Sequence, residues 1–324
     1  MVSMHRRREL GALCALALWP LMARAQDVFP SRPIKLVVPY PAGGNADNIA
    51  RVFGKRFAEV LSTPVIIDNK PGASGVIGAD SVHKAPPDGH TLLLTVTSQL
   101  TSPGPGAKPS YKATEDFVPI VGLCVTPLAF VVPSSLGVQH LQELTALAQK
   151  RKLSYGSYGP LTSTHIMQHL LLQQLGIKDA VHVPYKGESP MVADMLGGQI
   201  QMGFVAMGGA REMARAGRMN VLAVVGSKRS EFLPQVRTFQ EQGVSKLDWT
   251  YGVALYGPSR MAPDVLTKLR DAGKKVMSDG PTLTAFRAQS NQPWTDVTPD
   301  ELGRRLVIDS VLWGKMVAAV GHID

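Results

Sequence analysis

Cysteine is almost absent from this chain of 324 residues, which contains only Cys14 and Cys124. Cys14 lies in an N-terminal apolar run that we assign below to a signal peptide. Without that segment no internal disulfide is possible, so the folded protein must be stabilised by a hydrophobic core rather than by crosslinks. Because Cys124 lies in the apolar run from Val121 to Val132, we interpret it as a buried, inert thiol rather than a nucleophile.

Tryptophan and runs of like charge are also scarce. The chain has four Trp, and its Lys and Arg residues are scattered with no basic run of five or more. Nucleic-acid-binding proteins usually concentrate positive charge on one face or stripe, so we expect no nucleic-acid partner. Losing four arginines and one glutamate with the N-terminal segment lowers the net charge from +9 to +6. This mild excess suits a small anionic ligand.

The chain also lacks an apolar run long enough for a membrane span. Arg6-Arg7-Arg8 precede a run from Leu10 to Met22 that Pro20 interrupts, whereas a spanning helix needs about 20 apolar residues. Ala23-Arg24-Ala25 has the small-x-small form of a signal-peptidase site. We therefore predict a signal peptide over residues 1–25, cut near Ala25. A short membrane anchor is the alternative, and the Sec and twin-arginine export routes both stay open.

The sequence motifs of common enzymes are missing as well. His165 and His169 are four residues apart on a predicted helix, but no nearby acid completes a zinc-protease pattern. No Gly-x-Ser-x-Gly nucleophile elbow occurs, and Gly43-Gly44 is not part of a dinucleotide-binding fingerprint. We therefore predict no metal site, no cofactor and no catalytic residue. An exported hydrolase that uses Ser74 or Ser98 is the remaining enzymatic alternative.

Apolar strand-like runs alternate with amphipathic helical patterns along the rest of the chain, which is typical of α/β proteins with mostly parallel sheets. The predicted strands are Ile34–Pro39, Val65–Asp68, Thr91–Thr95, Val121–Val132, Leu153–Tyr155, Ala180–Pro184, Ile200–Val205, Val221–Val225 and Tyr251–Tyr256. The predicted helices are Ala46–Leu61, Val138–Gln149, Ser163–Leu175, Pro190–Leu196, Pro263–Met277 and Pro299–Ile308. The proline-containing stretch from Ser98 to Ala113 is predicted to be a surface loop. The length favours two domains.

The most informative segment is Pro39–Arg51, in which a strand ends in Pro-Ala-Gly-Gly and turns directly into a helix. The first N–H groups of a helix lack partners and carry roughly half a positive charge, which favours bound anions. Glycines at Gly43 and Gly44 allow a ligand to approach the backbone closely. We therefore predict a site for a small anion, above all a carboxylate. Asp47 either caps its own helix or contacts an ammonium group of the ligand.

A second segment, Gly156–His169, has the same order of strand end, small residues and helix start. Two such loops, one in each domain, could face each other across a cleft and hold a ligand from both sides. Open α/β sheets place their ligands in clefts at the carboxyl ends of strands. The sequence therefore predicts a binding cleft between two domains.

Several segments, in this order and spacing, carry a resemblance to a known family. They are Pro39–Arg51, Val65–Gly78, Ala85–Leu93, His182–Gly187, Ala223-Val224 and Gln235–Gly243. They resemble the substrate-binding proteins of tripartite tricarboxylate transporters, the Bug family, over essentially the whole chain after the signal. The resemblance implies an α/β protein with the type II periplasmic-binding fold, two α/β domains and a hinged cleft. The implied domain limits are 26–125 with 230–324 for the first domain and 126–229 for the second.

The resemblance also implies a function. The chain would be a monomeric periplasmic protein that captures a small organic carboxylate and delivers it to membrane permease subunits by hinged closure. A ligand-binding accessory of a sensor kinase is the alternative. The implied ligand contacts are Tyr40, Ala42, Gly43, Gly44 and Asp47 from the first loop, Thr97 and Ser98 after the third strand, and Ser157, Gly159 and Thr162 from the second loop.

Two departures from the family pattern bear on the choice of ligand. Leu161 stands in the second loop where the family usually has glycine, which puts the shape of that loop in question. No aspartate follows Met202-Gly203-Phe204, where the family often has one. We expect the second departure to favour a ligand that is less polar at that end or that lacks an amino group.

Overall fold

The strands and helices are taken from a computed structural model, which describes residues 29–101, 108–247, 249 and 251–320. The predicted signal peptide lies outside these residues. The strands are β1 Ile34–Val38, β2 Val65–Asn69, β3 Thr91–Val96, β4 Phe117–Thr126, β5 Leu128–Pro133, β6 Ser154–Ser157, β7 Val181–Pro184, β8 Met202–Ala206, β9 Met219–Val224, β10 Tyr251–Pro258 and β11 Gln292–Pro293. The α-helices are α1 Asn45–Leu61, α2 Val76–His83, α3 Thr97–Thr101, α4 Ala113–Asp116, α5 Leu141–Ala148, α6 Ser163–Gln174, α7 Glu188–Leu196, α8 Met207–Arg215, α9 Pro263–Val276, α10 Gly280–Ala288 and α11 Pro299–Val320.

The strands form two mixed sheets. The first has the order β11-β4-β10-β3-β1-β2 and the second the order β7-β6-β8-β5-β9. In the first sheet β1 pairs in parallel with β2 and β3, and in the second β6 pairs in parallel with β7 and β8. Each sheet thus combines parallel strands, joined through helices, with added antiparallel strands. The predicted α/β class with two α/β domains is confirmed.

The prediction of one strand from Val121 to Val132 is wrong. β4 ends at Thr126 in the first sheet, and β5 begins at Leu128 in the second. Pro127 lies between them, and a proline cannot donate the N–H that a continuous ladder requires. The chain crosses between the sheets at this proline and returns between β9 and β10. The domain limits that the resemblance implies stay a prediction.

Each sheet is covered by helices that bury an apolar stripe. In α1, Ile49, Phe53 and Phe57 are fully buried at four-residue spacing and pack in the core beneath β1. Burial of one such side chain contributes roughly 1.5–3 kcal/mol, so this stripe fixes the helix on its sheet. Cys124 is fully buried in the same core, and burial raises the pKa of its thiol. The prediction that this thiol is buried is confirmed.

The last helix, α11, is much longer than predicted and packs against both sheets' cores. Its first half places Leu302 and Leu306 in a cluster beside the first sheet, and Trp313 lies in the main cluster of the second. The predicted loop from Ser98 also begins differently, since α3 occupies Thr97–Thr101. Helices α2, α4, α8 and α10 and strand β11 were not predicted either. Within the described ranges, no helix combines the length and apolarity that crossing a membrane requires.

Candidate functional site

A cavity of about 70 Å³ lies where the loops after β1 and β6 approach each other. Its lining comes from both sheets and their helices. The lining residues are Tyr40, Pro41, Gly44, Asn45, Ala46, Val96, Gln99, Thr126, Leu128, Tyr158, Ser163, Thr164, Glu188, Ala206 and Val253. Lysine and arginine are absent from this described lining, so any anion bound here must be stabilised by other groups.

The N-terminus of α1 provides the first of these groups. Gly44 is its N-cap residue, in an extended conformation, and no side chain caps the first turn. Gly44, Asn45 and Ala46 all line the cavity. The first-turn N–H groups of this 17-residue helix therefore lie at the cavity with their partial positive charge.

The N-terminus of α6 provides a second, similar group. Its N-cap residue, Thr162, turns its hydroxyl away from the helix and donates to the Gly159 carbonyl at 2.7 Å, so this first turn is also uncapped. Ser163 and Thr164, the first residues of α6, line the cavity. Two helix N-termini from different sheets therefore meet at one cavity, as the two analogous sequence segments predicted.

Tyr40 forms a fixed part of the wall. Its hydroxyl lies 3.0 Å from Thr95 Oγ1 and accepts a hydrogen bond from the Val96 N–H at 3.2 Å. Burial raises the pKa of Tyr40 to about 12, although both hydrogen bonds lower it. The phenol therefore stays neutral and contributes a rigid ring surface.

Asp47 and Gly43 shape the first loop from behind the wall. The Gly43 N–H and the Arg51 guanidinium both donate to Asp47 Oδ2, each at 2.9 Å, and Asp47 is only 2% exposed. Burial alone would raise the pKa of Asp47, but the hydrogen bonds from Arg51 and Gly43 outweigh it and hold the pKa below its usual value. Asp47 therefore holds the loop before α1 and does not cap the helix, and its contact with a ligand stays a prediction.

Ala42 and Gly159 lie where the two halves touch. The Ser189 hydroxyl donates to the Ala42 carbonyl at 3.2 Å. Gly159 has φ +128°, and a Cβ there would lie 2.7 Å from Ser74 Oγ. Both positions therefore allow close approach between the first loop's half and the second.

The other predicted contacts lie deeper. Thr97 and Ser98 begin α3, and each is 4% exposed, while Thr162 is 3% exposed and Ser157 fully buried. None of the four is among the cavity-lining residues, and their contact with a ligand stays a prediction. Gln99, which was not predicted, is the α3 residue on the wall, and its amide donates to the Ser74 carbonyl at 3.1 Å.

A serine–histidine pair exists but is inaccessible. Ser157 Oγ lies 2.7 Å from His182 Nε2, and the His182 ring stacks on His165 with ring centroids 3.7 Å apart. Ser74, the nucleophile of the alternative hydrolase, donates instead to the Pro160 carbonyl at 3.1 Å. Among the described residues, no cluster of His, Cys, Asp or Glu is arranged to hold a metal ion. Within the described part of the chain, Ser157 is thus buried with its histidine, and Ser74 is engaged by a backbone carbonyl instead of a base.

Leu161 has an unusual backbone rather than a place on the wall. Its φ is +54°, a conformation that glycine adopts more easily, and its N–H donates to His165 Nδ1 at 3.0 Å. Leu161 does not line the cavity. At this position the backbone conformation is the one that favours glycine. The side chain of Leu161 does not contribute to the cavity wall.

Glu188 and Tyr158 are the wall residues that the sequence analysis missed. Glu188 Oε2 accepts hydrogen bonds from the Tyr158 hydroxyl at 2.6 Å and from the Ala206 N–H at 3.0 Å. An acid at the first position of a helix is so ordinary that the sequence carried little signal. The structure thus places a carboxyl group beside Ala206. We expected no acid in this region, because the aspartate that the family often has after Phe204 is missing.

The sequence profile described as "Tripartite tricarboxylate transporter family receptor" matches residues 49–320. The chain belongs to this family. Protein BugT of Bordetella pertussis is 32% identical over 301 residues, which cover 91% of each chain. The Cupriavidus necator protein "UPF0065 protein in gbd 5'region" is 35% identical over 270 residues, covering 82% of this chain and 81% of that one. The predicted Bug-family membership is confirmed.

Solved structures of similar proteins agree with the family. "Structure of periplasmic binding protein BugD" superposes with a TM-score of 0.85 at 26% identity, covering 90% of this chain and 99% of BugD. "R. palustris Rpa4515 with adipate" gives a TM-score of 0.83 at 26% identity, covering 90% and 98%. This family member therefore has the fold of periplasmic binding proteins, and its relatives are substrate-binding proteins rather than enzymes.

Proposed function

We propose that this chain binds a small organic carboxylate in the cavity between its two sheets and delivers it to the membrane permease subunits of a tripartite transporter. The observation that carries the proposal is the meeting of two uncapped helix N-termini, those of α1 and α6, at one cavity. Helix N-termini stabilise anions through N–H groups and their partial positive charge without a cationic side chain. The adipate bound by the similar Rpa4515 supports a carboxylate ligand.

We infer that binding works by closure of the two halves. Hydrogen bonds cross the cleft from Ser189 to the Ala42 carbonyl and from Ser74 to the Pro160 carbonyl. Such contacts exist only when the halves are close, so a ligand held by both halves shifts the population toward the closed form. Backbone N–H groups, hydroxyls and water then determine which carboxylate fits. The closed form is the species that docks on the permease, after export to the periplasm.

A thermal-shift screen against a library of carboxylates, each paired with its primary amide, tests this proposal. A ligand at a hundredfold excess over its Kd stabilises the native state by about 2.7 kcal/mol, and each 1 kcal/mol raises the Tm of a chain of this size by roughly 2–4 °C. We expect at least one carboxylate to raise the Tm while its amide does not. If no carboxylate raises the Tm, or if the amides act equally, the proposal is wrong.

A further inference from the structure

Glu188 is the acidic side chain on the wall of a cavity that otherwise suits an anion. One oxygen, Oε2, accepts from the Tyr158 hydroxyl and the Ala206 N–H. The other, Oε1, lies beside Gly209, where a Cβ would be 3.4 Å from it, and among the described residues no lysine or arginine forms an ion pair with Glu188. The carboxylate is therefore held in a defined place, with no cation among the described residues to balance its charge.

An unbalanced carboxylate in this place is costly. Burial raises the pKa of Glu188, although the hydrogen bonds from Tyr158 and Ala206 lower it. Taking a charge out of water without a cation destabilises the folded protein. A second carboxylate group from a ligand near Glu188 would add repulsion between like charges. A positively charged or N–H-bearing group would instead relieve the cost and find an acceptor already in position.

The neighbouring side chains fit a cation as well. Tyr40 and Tyr158 line the same cavity, and aromatic rings attract ammonium groups through their faces. The negative groups of a ligand are provided for elsewhere, at the N-termini of α1 and α6. The cavity therefore has one region for a carboxylate and another, on α7 and β8, for a hydrogen-bond donor.

We propose that Glu188 selects ligands that carry an ammonium or other N–H group in addition to a carboxylate, so that amino-carboxylates bind in preference to plain dicarboxylates. This inference rests on the proposed function, since it assumes that the cavity holds a carboxylate. It reverses the expectation, drawn from the missing aspartate after Phe204, that the ligand lacks an amino group. The acid that the segment after β8 does not provide is contributed by the first residue of α7.

Calorimetric titration with pairs of ligands of equal carbon number tests the inference. The pairs are succinate with 4-aminobutanoate, glutarate with 5-aminopentanoate and adipate with 6-aminohexanoate. In the wild-type chain we expect the amino acid of at least one pair to bind at least about tenfold more tightly, a difference of about 1.4 kcal/mol. In Glu188→Gln, which keeps the shape but removes the charge, this preference should fall below about threefold.

Glu231→Gln is the matched control, because Glu231 is an exposed acid away from the cavity and should keep the wild-type preference. Circular dichroism establishes that each variant is folded. If Glu188→Gln fails to fold, Glu188→Asp replaces it. This variant keeps the charge on a shorter side chain, farther from the ligand, and must lower the preference.

Tighter or equal binding of the dicarboxylates to the wild type overturns the inference and leaves carboxylate binding intact. A preference that persists in Glu188→Gln also overturns it, as does the absence of binding by all six ligands. The proposed function itself fails if no carboxylate of the library raises the Tm or if the primary amides act equally.

Discussion

At the scale of single residues, the neighbouring glycines Gly43 and Gly44 have different roles. Gly43 has φ +78°, which a residue with a side chain adopts only with strain, and its N–H is occupied by Asp47. Gly44 has φ −81° and ψ 171°, which any residue adopts, and it lies on the cavity wall. Access to the helix N-terminus is therefore determined at Gly44, while Gly43 maintains the turn.

Gly44→Val should abolish carboxylate binding while the protein stays folded. A Cβ at Gly44 would lie 3.4 Å from Ser189 Oγ and 3.9 Å from Glu188 Cβ, so the valine methyl groups would occupy the space that the ligand and the closing half need. We expect calorimetry with the tightest carboxylate of the screen to show an affinity loss of about a hundredfold or more, about 2.7 kcal/mol.

The matched control for this variant is Gly280→Val, because nothing lies within 4 Å of a Cβ at that position. It should bind the carboxylate with the wild-type affinity. Unchanged affinity in Gly44→Val would show that the ligand does not reach the α1 N-terminus.

The sequence predicted the backbone part of the site better than its side chains. Gly44 was predicted because a strand that turns directly into a helix is a local pattern, whereas Tyr40 was implied by the family resemblance. Glu188 was missed because its partners, Tyr158 and Ala206, are distant from it in the sequence. They come into contact with Glu188 only when the second sheet has folded. Tertiary contacts of this kind leave no periodic signal in the sequence.

At the scale of secondary-structure elements, three ring-bearing side chains tie β6, β7 and α6 together. His165 of α6 lies parallel to His182 of β7, with ring centroids 3.7 Å apart, and Tyr155 of β6 stacks on His182 at 5.1 Å. Burial lowers the pKa of His165 to about 3, helped by the charges of neighbouring histidines, and burial lowers that of His182 to about 4. The stack behind the second loop is therefore built from neutral imidazoles.

This stack should make the protein less stable in mild acid. A histidine in the unfolded chain titrates near pH 6.5, so between about pH 6.5 and pH 4 the unfolded state binds protons that the native state does not. Stability therefore falls as the pH falls through this window. We expect the Tm to drop by at least roughly 2–4 °C between about pH 7 and pH 5, as for a loss of 1 kcal/mol.

His182→Gln separates this effect from the general acid response, because glutamine does not titrate. The Tm of this variant should depend less on pH than that of the wild type, measured by calorimetry in the same buffers. An equally steep dependence in both proteins would mean that the two histidines are not buried as neutral groups.

Secondary-structure elements with a local sequence pattern were predicted, whereas boundaries that depend on tertiary packing were missed. The stripe of α1 and the strand before it follow from three- and four-residue spacing. The crossing at Pro127 was missed because the apolar residues on both sides of Thr126 and Pro127 were taken as one strand, although they belong to different sheets. The extension of α11 was missed because its second half is stabilised by Trp313, which packs in the core of the other domain's sheet.

At the scale of the whole molecule, the N-terminus of α1 is linked to the segment that joins the two sheets. Asn45 and Asn291 exchange two side-chain hydrogen bonds of 3.1 Å, and the Thr126 hydroxyl donates to Asn291 Oδ1 at 3.0 Å. Thr126 immediately precedes the crossing at Pro127. A ligand at the N-terminus of α1 would therefore be connected, through these hydrogen bonds, to the crossing at Pro127. We expect the two halves to move about this crossing.

The central claim is that a carboxylate is held between the two helix N-termini, and a crystal structure of the complex tests it most directly. The ligand in that crystal would be the tightest-binding carboxylate of the thermal-shift screen. The account predicts that one carboxylate group lies within hydrogen-bond distance, about 2.7–3.2 Å, of first-turn N–H groups of α1 and α6, with residues of both halves around it. A carboxylate bound on one half alone, or paired with a lysine or arginine outside this cavity, would contradict it.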